Sequence, residues 1–278
     1  MHVIRRRGSR DRTSVDQPDG PSEFVGWGEV AFPPEVVASM RRTRRRPRRT
    51  QFDYLHVRRL ADDLAAVLAR VGADSTDVLD LYCGTRPYDD LLPPGAAITG
   101  FDLPGNPYGV ADVVSDEFLP FADAAFDLVM CIEAFHYVAD PARGVDEIGR
   151  VLRPGGHAVV AVPLVWDYDR TQLEHRFTGP ELEALFDGWD EVSVIENGGR
   201  GVAWSTLTGS IANMIEWHVP YRLGARRVVK PLFASFYLVV NAIGAAVDRA
   251  ERRYARSSLV LPMNLLLTAK RPDRVPGS

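Results

Sequence analysis

Short apolar runs alternate with helically spaced apolar positions through the middle of the chain. Apolar residues over 52–71 recur at helical spacing and predict a helix before the first strand. Several later runs of Val, Leu, Ile and Phe end in a turn or a polar residue, which is typical of buried strands. The predicted strands cover residues 78–81, 98–101, 126–132 and 157–162. Strands alternating with helices favour an α/β domain with a mostly parallel sheet.

The second half of this pattern contains clear helix boundaries. A helix is predicted over 140–152, and the turn at 153–156, Arg-Pro-Gly-Gly, ends it. Residues 178–181, Thr-Gly-Pro-Glu, form a capping box that begins another helix. Two further strands are predicted at 190–196 and 263–269. The pattern therefore continues to the end of a complete α/β sheet.

Residues 200–258, between the last two predicted strands, are too many for a hairpin loop and predict a helical insertion. Pro231–Val247 is free of charged residues, and basic residues precede and follow it. These 17 residues are fewer than the roughly 20 that a membrane-spanning helix needs, so no spanning helix is expected. Three alternatives stay open: a helix in a membrane interface, a lid over an apolar substrate, and a helix buried against the domain or a second copy.

Charge separates the beginning of the chain from the rest. The 278 residues have a net charge of −4 and a mean hydropathy of −0.12, which suit a globular protein. Residues 1–50 hold 12 Arg against 6 Asp and Glu, so the remainder carries −10. We expect a basic, largely disordered arm over 1–50, a domain over 51–272 and a flexible tail over 273–278.

The arginine-rich run over 41–49 has two interpretations. It is either a contact for anionic lipid headgroups or a solvated linker into the first helix. No nucleic-acid partner is expected, because no aromatic residues separate the arginines. Cys83 and Cys131 do not suffice for a disulfide framework, and no Cys/His spacing matches a zinc site. Without an apolar run behind residues 1–12 no signal peptide is expected, which favours the cytoplasm, with membrane association of the insertion as the alternative.

Two carboxylates end consecutive strands, where a charged group has no packing purpose. Asp80 ends the first predicted strand before a Cys-Gly-Thr turn, and Asp102 follows the second. Open α/β sheets bind ligands beyond the carboxyl ends of their strands. An acidic residue about 20 residues after such a turn is typical of a ribose contact. A nucleotide-like ligand is therefore expected at this edge.

The motif over 80–86, Asp-Leu-Tyr-Cys-Gly-Thr-Arg, resembles the glycine loop of class I S-adenosylmethionine-dependent methyltransferases, in particular the type 11 methyltransferase domain. Further similarity lies in Leu-Pro-Phe at 119–121 and in Leu-Arg-Pro-Gly-Gly at 152–156. The resemblance covers roughly residues 52–199 and 260–272. It implies a Rossmann-like, seven-stranded, mostly parallel sheet with helices on both faces and an antiparallel last pair of strands. The family writes a glycine where this chain has Tyr82.

The resemblance also implies the site. It implies S-adenosylmethionine as cofactor, no metal, and His136, in the loop after the fourth strand, as the candidate general base. Glu133 of the same loop is a weaker candidate for cofactor or proton contact. The cofactor-binding residues carried over by position are Asp80, Tyr82, Cys83, Gly84, Tyr88, Asp102, Leu103, Asp116, Glu117 and Ile132.

The implied function is methyl transfer to a small molecule, a glycan or a lipid-linked acceptor, with a peripheral membrane contact or a homodimer as further expectations. One alternative is a binding protein that keeps the fold but not catalysis, with Tyr82 filling the methionine pocket. A nicotinamide-dependent dehydrogenase is disfavoured, since the Gly-x-Gly-x-x-Gly spacing and a Tyr-x-x-x-Lys pair are both absent from the sequence.

Overall fold

The computed structural model describes residues 31–168, 170, 172–218, 225–254 and 260–273. The helices are α1 (Pro34–Arg45), α2 (Tyr54–Val71), α3 (Pro141–Val151), α4 (Gly179–Leu185), α5 (Arg200–His218) and α6 (Ala225–Tyr254). The strands are β1 (Asp77–Leu81), β2 (Ala97–Asp102), β3 (Val113–Val114), β4 (Phe126–Ile132), β5 (Leu152–Pro163), β6 (Asp190–Asn197) and β7 (Asn264–Lys270).

The strands form one sheet in the order β3-β2-β1-β4-β5-β7-β6 within this part of the chain. Strands β1 to β5 pair in parallel, whereas β7 runs antiparallel to both β5 and β6. The predicted mostly parallel α/β sheet and its antiparallel last pair are thereby confirmed. From β1 the chain adds β2 and β3 on one side and then β4 and β5 on the other. The carboxyl ends of β1 and β4 therefore border the crevice where such sheets bind ligands.

Alternate residues of the strands pack into two core layers. Leu79 and Val129 lie on the face covered by α3 and α4, whereas Leu128 and Met130 lie on the face covered by α2. Leu64 of α2 is fully buried in this second layer. Burying one such side chain contributes about 1.5–3 kcal/mol to stability. The helically spaced apolar residues of α2 therefore hold this helix against the sheet.

Strand β5 begins earlier than the predicted 157–162. Leu152 already pairs with Phe126, and the register then shifts so that His157 pairs with Leu128. The predicted turn is present within this irregular start, because Gly155 has a φ of 77° and its amide donates to the carbonyl of Arg271 at 3.0 Å. The glycine turn thus ends α3 and is also held by the neighbouring strand.

The expectation of a largely disordered arm over 1–50 is wrong for the residues that form α1. Pro34 lies in the first turn, which suits its fixed φ, and Val36 and Val37 are buried. Arg45 contacts Asp90 at 2.7 Å, so part of the arginine run has partners within the domain. Residues 1–30 and 274–278, to which the remaining arm and tail predictions apply, lie outside the described residues.

The insertion forms the helices α5 and α6, which pack on each other and on α2. Within the described residues, Val229–Tyr254 of α6 is long and apolar enough to cross a membrane, by length and composition alone. The expectation that no spanning helix is present used only the 17 charge-free residues. The helix is longer than that run, because it continues past the flanking charges on both sides.

Candidate functional site

The loop after β1 has a strained backbone. Tyr82, Gly84 and Arg86 have φ values of 55°, 53° and 51°. Glycine adopts this region freely, but each other residue there costs of the order of 1–3 kcal/mol. The surrounding contacts hold the loop in a conformation that otherwise favours glycine, as in the family's own loop.

Asp102 joins the end of β2 to this loop. Its Oδ2 accepts hydrogen bonds from the amide of Gly84 at 3.0 Å and from the side chain of Asn106, and its Oδ1 accepts from the amide of Leu103 at 2.9 Å. Burial raises the pKa of Asp102, whereas these hydrogen bonds act in the opposite direction. The two predicted residues Gly84 and Asp102 are thus in direct contact.

Asp80 lies beneath the loop and is only 5% exposed. Burial, reinforced by the carboxylate of Asp89, raises its pKa to about 8, against the opposing charges of Arg86 and Arg41. Arg86 contacts Asp89 at 3.1 Å and Asp112 at 2.6 Å. Arg86, which stands where the family has its last glycine, therefore links the loop to the segment before β3.

Tyr82 lies between the carboxyl ends of β2 and β4. Its ring packs on Phe101 with centroids 5.9 Å apart. Burial raises the pKa of its hydroxyl, and the nearby Cys131 and Asp102 add to that shift. Cys83 and Cys131 are free, buried thiols, as expected of small residues at adjacent strand ends.

The other predicted cofactor residues lie at different depths around this crevice. Tyr88 is buried in the core layer beside α2, and burial raises its pKa to about 12. Ile132 is half-buried at the end of β4. Leu103 is 44% exposed after β2, and Asp116 and Glu117 are exposed after β3. Their contacts with a cofactor stay predictions.

The loop after β4 brings two titratable groups into the interior. Glu133 has a φ of 58°, and its Oε1 is buried with no hydrogen-bond partner among the described residues. Burial raises the pKa of Glu133 to about 7, partly opposed by Arg44 and Arg176. Burial, aided by Arg176, lowers the pKa of His136 to about 4. At neutral pH this histidine is uncharged, and its carbonyl accepts a hydrogen bond from the amide of His175 at 2.8 Å.

Sequence reasoning missed the residues that α1 and α2 contribute. Arg41 donates from Nε to the carbonyl of Thr85 in the glycine loop at 2.7 Å. The charge of Arg44 acts on Glu133 and also on His56, a buried residue of α2 whose pKa burial lowers to about 4. The arginine run was the available signal, but the sequence does not indicate that these arginines face the loop.

This arrangement places carboxylates at the ends of β1 and β2 and proton-exchanging groups at the end of β4. Asp102 can accept hydrogen bonds from ligand hydroxyls, and Glu133 can exchange a proton near neutral pH. The fold and this strand-end site agree with the α/β arrangement that the resemblance to class I methyltransferases implies.

Comparison with known proteins agrees with the resemblance found in the sequence. Residues 79–160 match the family model described as a methyltransferase domain. The matched segment includes the glycine loop and Asp102. The resemblance stated from the sequence is thereby confirmed over this segment.

Similarity to individual proteins is partial. An uncharacterised methyltransferase of Mycobacterium tuberculosis is 43% identical over 61 residues, which cover 22% of this chain and 23% of the relative. A ubiquinone/menaquinone biosynthesis C-methyltransferase of Geobacter sulfurreducens is 34% identical over 104 residues, or 30% of this chain and 40% of the relative. The chain thus spans less than half the length of these curated relatives. A solved phosphoethanolamine N-methyltransferase of Haemonchus contortus has a TM-score of 0.45 at 16% identity, covering 83% of this chain and 59% of its own.

Proposed function

We propose that this protein transfers the methyl group of S-adenosylmethionine to an acceptor molecule. The observation that carries the proposal is the contact between Gly84 and Asp102 within the segment that matches the methyltransferase family. It links the turn after β1 to a carboxylate at the end of β2, the arrangement expected for holding a ribose in this class of sheet.

The residues present fit such a cofactor. Asp102 would accept hydrogen bonds from the ribose hydroxyls, and Gly84, without a side chain, leaves its loop open to close approach. A Cβ built on Gly84 would lie 4.0 Å from its nearest neighbour, a ring atom of Tyr108. When bound, S-adenosylmethionine supplies an electrophilic methyl group on its sulfonium. Tyr82 is the departure from the family loop, and its packing on Phe101 turns at least part of the ring toward the core.

Glu133 is the stronger candidate for the general base in this proposal. A base works best when its pKa lies near the operating pH, and burial brings the pKa of Glu133 to about 7. His136, whose pKa is lowered to about 4, is uncharged but a weak proton acceptor at neutral pH. We therefore assign proton removal to Glu133 and a hydrogen bond to the acceptor to His136. The prediction of His136 as the base, made from the resemblance, stays a prediction until both residues are substituted.

Among the acceptors that the sequence left open, we favour an apolar or lipid-linked molecule. Two relatives whose names specify quinone biosynthesis and sterol methylation support this choice. The helices of the insertion also support this choice. They pack on α2 and carry exposed apolar side chains, which suit contact with an apolar molecule. A small polar molecule or a glycan is the competing acceptor class.

Calorimetric titration with S-adenosylmethionine and S-adenosylhomocysteine tests the first step. We expect saturable binding of both at one site per chain. No binding of either by folded protein would refute the proposal and favour a binding protein whose pocket Tyr82 fills. Transfer of a labelled methyl group to a panel of quinones, sterols, lipids and glycans then identifies the acceptor class. With that acceptor, Glu133→Gln should lower kcat about 10²–10⁴-fold and remove the rise of rate near pH 7, whereas His136→Gln should mainly raise KM.

A further inference from the structure

The outer faces of α5 and α6 carry an extended apolar surface. The exposed apolar side chains of α5 are Trp204, Leu207, Ile211, Met214, Ile215 and Trp217, each 38–60% exposed. On α6 the exposed stripe is Leu232, Phe236, Val239, Ile243 and Val247, each 43–64% exposed. Three- and four-residue steps put each set on one helix face. Contiguous apolar surface of this extent marks an interaction site.

Two polar residues of α6, Asn241 and Asp248, face the protein instead. Asn241 is buried and donates to the carbonyls of Arg49 at 3.1 Å and Gln51 at 2.8 Å. Asp248 is buried and accepts from Arg59 of α2 at 2.9 Å. The buried face of α6 thus combines these polar residues with the apolar Tyr237 and Val240, and the exposed apolar stripe has no partner within the described domain.

Close backbone contact makes the two helices one unit, here called the α5–α6 plate. A Cβ on Gly201 would lie 2.3 Å from the carbonyl oxygen of Gly244, and one on Gly244 would lie 2.6 Å from the Cβ of Ser205. Such contacts are open only to glycine. The plate therefore carries both apolar stripes, and Asn241 and Asp248 hold it to the domain.

The charge of the plate indicates what covers it. Residues 200–254 contain eight Arg and Lys against three Asp and Glu, in a chain whose part after residue 50 is acidic. All three acidic side chains are engaged within the protein: Glu216 by Tyr237, Asp248 by Arg59, and Glu251 by Arg200. The exposed charged residues that border the α6 stripe at its two ends, Lys230 and Arg249, are basic.

We propose that the α5–α6 plate docks onto the interface of an anionic lipid bilayer, with both helices lying in the membrane plane. Apolar stripes bordered by basic residues are the pattern that such interfaces bind, and exposed Trp204 and Trp217 suit the headgroup depth. A spanning orientation of α6 would take Asn241 and Asp248 away from their partners on the domain. A second copy of the chain fits less well, because the basic ends of two antiparallel α6 stripes would face each other.

Docking in this orientation would hold the strand-end site near the bilayer. Asn241 bonds to the segment between α1 and α2, and Arg41 of α1 contacts the glycine loop. The inference does not depend on methyl transfer, and its test measures no enzymatic activity.

The test is flotation of the full-length protein with phosphatidylcholine vesicles, with and without phosphatidylglycerol. We expect binding only with phosphatidylglycerol, loss of binding at high salt, and a blue shift of tryptophan emission on binding. The double variant Ile211→Glu and Val239→Glu should lower the bound-to-free ratio by at least about tenfold, since it places charges in the buried face. Val114→Glu, at a 55% exposed apolar residue of the far edge strand β3, is the matched control and should bind like wild type.

Three results would overturn the proposal. The first is no flotation of folded wild type with either vesicle. The second is a stable dimer in sedimentation analysis that the double variant abolishes without any change in flotation, which would assign the plate to self-association. The third is wild-type protein that resists extraction by alkaline carbonate, which would show that α6 spans the bilayer. Release by carbonate supports the in-plane orientation.

Discussion

Replacing Asp102 by asparagine tests the cofactor site most directly. The substitution keeps the size of the side chain but replaces one of its two acceptor oxygens by an NH2 donor, so it can accept from the amide of Gly84 or of Leu103 but not from both. It removes the negative charge that would strengthen hydrogen bonds from ribose hydroxyls. The ligand therefore loses charge-assisted contacts, and one of the two backbone contacts of Asp102 is lost with them.

The size of the effect follows from the contacts of Asp102. Two backbone amides and Asn106 already occupy three of the about four acceptor sites of the carboxylate, which leaves about one for a ligand hydroxyl. A hydrogen bond to a charged group contributes about 1.5–3 kcal/mol. Losing this charge-assisted bond should weaken binding by about 1.5–3 kcal/mol, or about 10–150-fold in Kd.

Calorimetry of wild type and Asp102→Asn with S-adenosylhomocysteine measures this change. Asp74→Asn is the matched control, because Asp74 is exposed and precedes β1, at the opposite edge of the sheet. Both variants should keep the circular dichroism spectrum of wild type. If folded Asp102→Asn binds within about twofold of wild type, Asp102 does not hold the ligand and the assignment of the ribose site is wrong.

Two further predictions concern stability. The pKa of Asp80 is raised to about 8 in the fold, so wild type should lose stability as pH rises from about 4 toward 8, where the unfolded carboxyl is ionised and the folded one is not. Asp80→Asn should therefore be about 2–5 kcal/mol more stable than wild type near pH 8, and thermal melts should show this difference fading toward pH 4. A difference that is the same at every pH would contradict a buried, protonated Asp80. Gly201→Ala should cost about 2 kcal/mol or more, because its Cβ would meet backbone atoms of α6, whereas Gly179→Ala, with its nearest atom 3.9 Å away, should unfold in urea like wild type.

The strands were predictable because their signal is local. Val78 to Leu81 form a mainly apolar run that ends in a turn. A strand that is buried on both faces of a parallel sheet shows this pattern in its own residues, so it can be recognised without the rest of the chain. The start of β5 was not predictable in the same way. It depends on a register shift against β4 and on a bond from Gly155 to Arg271, which is 116 residues away in the sequence.

The site was predictable where strand ends define it and not where helices cover it. Asp80, Gly84 and Asp102 follow from the sheet alone. The sequence did not reveal that the arginines of α1 contact the domain. Arg41 and Arg45 bond to Thr85 and Asp90, which lie 44 and 45 residues away in the sequence. The choice between Glu133 and His136 likewise depended on burial, which raises the pKa of the glutamate and lowers that of the histidine. Residue type gives these directions, but the sequence does not show that either side chain is buried.

The orientation of α6 shows a more general limit of hydrophobic patterns. The spacing of Leu232, Phe236 and Val239 identifies an apolar stripe, but it is the same whether the stripe faces the core or the outside. The partners of Asn241 and Asp248 decide, because a buried amide and a buried carboxylate must be satisfied by the domain. Those bonds hold this face of α6 inward and leave the apolar stripe outward, so the insertion adds a surface whose natural environment is apolar. The bonds of Asn241 also reach the segment leading into α2, which connects the surface to the part of the chain that borders the candidate site.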